Sequence, residues 1–109
     1  MKYLVLYTHN SQGEITMIST HISKKSLIHS AILEFSKNNN VPTSDVQILS
    51  CDKDTPNKGF YLKDHDEYCV CGKKGQIEIY KNTVVPEWIY GEWNNVELVT
   101  TYKWQECKY

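Results

Sequence analysis

Asp64-His65-Asp66-Glu67, with Cys69 and Cys71 close behind, is where residue types and spacing come nearest to chemistry in this chain. A carboxylate that orients a histidine beside a thiol is the raw material of nucleophilic catalysis. The same side chains offer nitrogen, oxygen and sulfur to a divalent metal, and Cys51, His65, Cys69 and Cys71 would make a four-ligand shell. The spacing argues against both uses. Zinc knuckles separate their cysteines by two residues or more, whereas Cys69-Val70-Cys71 leaves one. Neighbours on an extended segment point to opposite faces, so Asp64, His65 and Asp66 need not converge. The favoured reading makes the cysteines small buried hydrophobes and the acidic run a solvated loop. A small enzyme or metal protein built on His65 and the Cys69/Cys71 pair is the alternative. No cofactor is expected, since the chain carries no Gly-rich phosphate loop, no Gly-x-Ser-x-Gly elbow and no His-Glu-x-x-His motif.

Two other constellations concern binding. Ser23-Lys24-Lys25-Ser26 stands at the start of a helical pattern. Free helix N–H groups and two ammonium groups there make Ser23, Lys24 and Lys25 a candidate anion site. Solvated lysines that mildly oppose the helix dipole are the plainer reading. The segment from Pro86 to Trp93 packs Trp88, Ile89, Tyr90 and Trp93 among Glu87, Gly91 and Glu92. In a loop or short turn not all of those rings can be buried, and exposed Trp and Tyr are the usual anchors of protein interfaces. Glu87, Trp88, Tyr90, Glu92 and Trp93 are therefore the candidate partner-binding residues. Their acidic surroundings disfavour single-stranded nucleic acid, which needs a basic groove beside its stacking rings.

Positioning these groups falls to a few elements. Residues 2–8 read as a strand with both faces apolar, followed by a turn at His9–Gly13 and a return strand at Glu14–Ile18. Leu27, Ile28, Ala31, Ile32 and Phe35 recur at helical spacing over about residues 24–37, with Ser23 as N-cap and Asn38-Asn39-Asn40 before Pro42 as the stop. A short strand at Asp45–Ser50 follows. Cys51–Asp66 reads as turn-rich, with room for a strand at Phe60–Leu62. A hairpin of Tyr68–Cys71 and Gln76–Tyr80 turns through Gly72-Lys73-Lys74-Gly75, and Val96–Lys103 is the last strand.

The order implies an α+β fold, a mainly antiparallel sheet of five to seven strands with one helix on one face. Leu27, Ala31, Ile32 and Phe35 should face the sheet, with Val5, Ile48 and Leu98 among their partners.

At 109 residues the chain has room for one domain. Its formal net charge of −1 supplies no field to attract nucleic acid or an anionic membrane. All twelve basic residues are lysines; without arginine, bidentate reading of phosphate or guanine is handicapped. Lysine without arginine, together with eight asparagines, matches the coding bias of an AT-rich genome such as a phage or a low-GC bacterium. No run reaches the roughly 18 apolar residues of a membrane span, and the N-terminal run reads as a strand rather than a leader, so a cytoplasmic location with reduced cysteines is expected. These observations favour a non-catalytic protein-binding module, for instance a phage-encoded modulator or inhibitor of a host protein. An enzyme or metal protein ranks second and a nucleic-acid binder third.

Overall fold

The computed structural model describes residues 2–49, 59–70, 72–82 and 86–108. Strand β1 (Lys2–His9) turns into β2 (Ile15–His21), and helix α1 (Lys24–Asn39) follows. After a short 3-10 turn at Thr43–Asp45 come β3 (Val46–Ile48), β4 (Gly59–Cys69), β5 (Gly72–Asn82), the two short strands β6 (Glu87–Ile89) and β7 (Glu92–Asn94), and β8 (Glu97–Lys108). Six strands form one sheet in the order β2-β1-β8-β5-β4-β3, antiparallel except for the β3/β4 pair. β6 and β7 pair separately as a small hairpin. The fold is α+β.

Local chemistry sets the ends of α1. Ser23, extended at φ −135°, accepts from the Ser26 N–H and satisfies one of the donors a helix start leaves over. Asn40 takes the left-handed conformation at φ 55°, and its N–H returns to the Ser36 carbonyl, an αL stop.

Leu27, Ala31 and Phe35 of α1 are fully buried in one cluster with Leu6, Leu62, Ile77, Ile79, Tyr102, Trp104 and Val46. Ile32 and Ile28 are half-buried against it, and Phe60 meets Phe35 edge-on at 5.2 Å. The strand partners differ from the expectation in three places. In β1 the alternation puts Leu4 and Leu6 on the core side, so Val5 points the other way. Ile48 is 62% exposed, at the end of a three-residue edge strand. Leu98 is 52% exposed because the β5/β8 ladder slips beside it: Ile79 opposes Thr100, but Tyr80 opposes Leu98. That bulge inserts Val99 and turns Leu98 to the second face of the sheet.

The middle of the chain holds more strand than its turn-like composition implied. Gly72-Lys73-Lys74-Gly75 lies within β5, opposite Cys69 through Asp66, and is not the turn. Lys63–Glu67, read as a charged loop, is the heart of β4. Cys51–Lys58 and Cys71 lie outside the described residues. No helix among the described residues is long and apolar enough to cross a membrane.

Candidate functional site

The charged run of β4 is divided by the pleat. Asp64 and Asp66 face the side of the helix, where the Lys24 ammonium bridges them, at 2.7 Å from Asp64. Lys24 also lies 3.9 Å above the Trp104 ring, and the Trp104 indole N–H donates to Asp64 at 3.3 Å. A cation held by two carboxylates and an aromatic face is compensated within the chain. Of the candidate anion site, therefore, Ser23 serves as the helix cap and Lys24 ties α1 to β4 and β8, while Lys25 is exposed.

The start of α1 is also sewn to β2. Ser30 meets Ser19 at 2.8 Å, Ser19 meets His21 at 2.7 Å, and His21 meets Ser26 at 2.8 Å. Burial pushes the His21 imidazole below its usual value, which favours the neutral ring, donor through one nitrogen and acceptor through the other.

His65 points to the second face and pairs with Glu78 at 3.0 Å. Glu78 also accepts from Gln76 at 2.8 Å and from the Tyr80 hydroxyl. Cys69 is four residues further along the same strand. At a rise of about 3.3 Å per residue the two lie on the order of 13 Å apart, too far for one metal ion or for a thiol–imidazole pair. Cys69 donates instead to the Gly72 carbonyl. Among the described residues no three His, Cys, Asp or Glu side chains gather as a metal shell, and the Cys51 and Cys71 of that set lie outside them.

The second face carries a group that the sequence reading passed over. Tyr61 and Tyr80 are cross-strand partners whose rings stack at 5.2 Å and 15°. Together with Lys63, Glu92, Trp93 and Val96 they line one cleft, so the β6–β7 hairpin folds back over this end of the sheet. The only signal available was the alternation Gln76-Ile77-Glu78-Ile79-Tyr80, which marks Glu78 and Tyr80 as sharing a face but not as covered.

Burial, reinforced by the Glu78 charge, raises the Tyr61 phenol to about 12, and burial with the Glu78 hydrogen bond raises Tyr80 as well. A phenol whose folded value exceeds its unfolded value near 10 contributes stability that is complete below pH 10 and is lost as pH rises through the folded value. The urea midpoint should therefore hold to about pH 10 and then fall, by roughly 1.4 kcal/mol per pH unit for each phenol at most. In Tyr61→Phe the fall between pH 10 and 12 should be shallower; an unaltered slope would remove Tyr61 from the covered cluster.

The hairpin itself is a two-residue connection. Tyr90 at φ 51° and Gly91 at φ 79° give the two positive φ values of a type I′ turn, the connection that suits the strand twist. Trp88 and Trp93 are cross-strand partners with rings edge to face at 5.0 Å. Trp93 is half-buried toward the Tyr61 and Tyr80 cleft, whereas Trp88 remains 38% exposed, Ile89 is exposed and Tyr90 is 101% exposed at the tip. Glu87 and Glu92 are exposed on the two strands.

The chain matches no protein-family model, and comparisons with curated proteins and with solved structures give no significant match.

Proposed function

We propose that the chain is a non-catalytic protein-binding module whose β6–β7 hairpin is its recognition element. The observation that carries this reading is Tyr90. Asn or Gly is the usual first residue of a type I′ turn, because a left-handed residue with a Cβ costs roughly 1–2 kcal/mol. Here a tyrosine takes that conformation while its ring is entirely in solvent. The position gains nothing for the fold from its side chain, and strain retained at an exposed tip points to use.

Beside it, Trp88 and Ile89 add apolar area and Glu87 and Glu92 add two carboxylates. That combination suits an apolar slot with a basic rim on a partner protein. Trp93, packed inward, holds the hairpin against the sheet. A phage-encoded modulator of a host protein is the setting that the arginine-free composition suits.

Stability and affinity separate the two roles. Tyr90→Asn should leave the urea midpoint unchanged or raise it, by up to about 1 kcal/mol, because asparagine tolerates the left-handed region. The same substitution should weaken the complex with a partner isolated from lysate at least about thirtyfold, the loss of roughly 2 kcal/mol expected of a hot-spot anchor. Trp88→Ala should behave similarly, while Trp93→Ala should lower stability first. If Tyr90→Asn binds as tightly as the parent chain, the hairpin is not the recognition element.

A further inference from the structure

The two edges of the six-stranded sheet are protected very differently. At one end β3 is three residues long, and the flank of β4 beyond it carries Lys63, Asp64, Asp66 and Glu67. Charges and short strands are the devices by which sheets discourage edge pairing. At the other end β2 runs for seven residues, Ile-Thr-Met-Ile-Ser-Thr-His, with no lysine, acid or proline. Its side chains on the second face, Ile15 at 68% and Met17 at 64% exposed, join Val5, Tyr7, Gln105 and Cys107 around a shallow, uncharged groove of about 180 Å³.

From this asymmetry we propose that β2 pairs antiparallel with β2 of a second copy of the chain, joining two sheets into one across a two-fold axis. A second copy is the occupant that the charges select. Paired along its full length, β2 sets each side chain opposite another from the same uncharged strand, so no like charges meet. The chain's net charge of −1 gives two copies almost nothing to repel at longer range. Antiparallel two-fold pairing uses the same strand of both copies, as an isologous contact requires. Assembly stops at two because the β3/β4 edge is charged.

One local feature tempers the pairing. The β1/β2 ladder slips between Leu6 and Tyr7, leaving Ile18 as a bulge in β2. Bulges twist an edge and interrupt its ladder, so the strand offers two short stretches on either side of Ile18 instead of one flat template. The association should therefore be weak and reversible, and not fibrillar.

Sedimentation velocity and light scattering on the full chain test the proposal. With a chain mass of 12.7 kDa, the mass should rise toward that of two chains as concentration passes through the micromolar range. Backbone amides of β2 should exchange more slowly at high concentration than at low. Met17→Lys with Thr20→Lys places two cations on the second face of the strand, at exposed positions where folding is spared. This pair should weaken the dimer at least tenfold with the urea midpoint kept. Leu33→Lys, on an exposed position of α1, should leave it intact, as should Tyr90→Asn in the hairpin. A chain that stays monomeric up to about 1 mM overturns the proposal. So does a dimer that ignores the β2 lysines, or one that Tyr90→Asn dissolves.

Discussion

Phe35→Ala should lower folding stability by about 3–5 kcal/mol, the cost of emptying a filled aromatic site in a core that cannot fully collapse around the gap. Phe35 is completely buried, packs edge-on to Phe60, and shares its cluster with Leu27 and Ala31 from its own helix and Leu62 and Ile79 from the sheet. Domains of this size have on the order of 5–15 kcal/mol in all, so the variant should lose a large share of it, with a melting temperature lower by about 15 °C or more. Leu33→Ala supplies the comparison. Leu33 lies two residues earlier on the same helix but is 47% exposed, and its truncation should stay within about 0.5 kcal/mol. Urea midpoints of the two variants give the contrast directly. Equal losses would mean that the buried face of α1 has been assigned to the wrong residues.

That prediction rests on what the chain states openly. The helical recurrence of Leu27, Ala31 and Phe35, the Ser23 cap and the Asn40 stop are local signals, and each appears in the structure where its chemistry puts it. The first hairpin is legible for the same reason. Leu98 was misplaced because the bulge at Val99 depends on the partner strand β5, and a period of two carries across a bulge only if the bulge is known. The acidic run Asp64–Glu67 carries the sequence signature of a loop because charge density reads as solvation. In the structure the same side chains alternate between Lys24 on one face and Glu78 on the other, and those partners stand 40 or more and 13 residues away in sequence, where no local pattern points.

The candidate site divides along the same line. Glu87–Trp93 was marked by aromatic density alone, and that density is the same whether a ring is an anchor or a wall. What separates Tyr90 from Trp93 is a turn that points one ring outward and a sheet face that receives the other. Tyr61 and Tyr80 escaped notice since each is an ordinary strand residue until the register stacks them. The His65 and Cys69 pairing failed on the pitch of a strand, a distance that neighbourhood in sequence conceals.

Gly75 lies inside a strand although its sequence context is that of a turn, and its substitution should be among the most damaging single changes in the chain. It sits within β5, opposite Trp104 of β8 and Asp66 of β4. A Cβ built there would lie 2.8 Å from two carbons of the Trp104 indole and would collide with the His65 carbonyl oxygen. The bare backbone is what lets the indole lie across the strand. From that position its N–H reaches Asp64 and its face lies under Lys24, so one absent methyl supports a contact that joins β5, β8, β4 and the start of α1. Gly75→Ala must shift both the ring and the strand backbone, and overpacking of this kind costs typically 1–3 kcal/mol, more where backbone blocks the way. A loss of about 3 kcal/mol or more is the expected result. Gly13→Ala is the control: Gly13 has a positive φ of 80° but open space around it, so alanine there should cost only about 1–2 kcal/mol of backbone strain. Combining Gly75→Ala with Trp104→Leu distinguishes the two collisions. If the ring is the main obstacle, the double variant should lose clearly less than the sum of the single losses, a coupling readable from the four urea midpoints. Strict additivity would shift the cause to the His65 carbonyl, and a Gly75→Ala loss no larger than that of Gly13→Ala would show that the indole does not lie on this glycine.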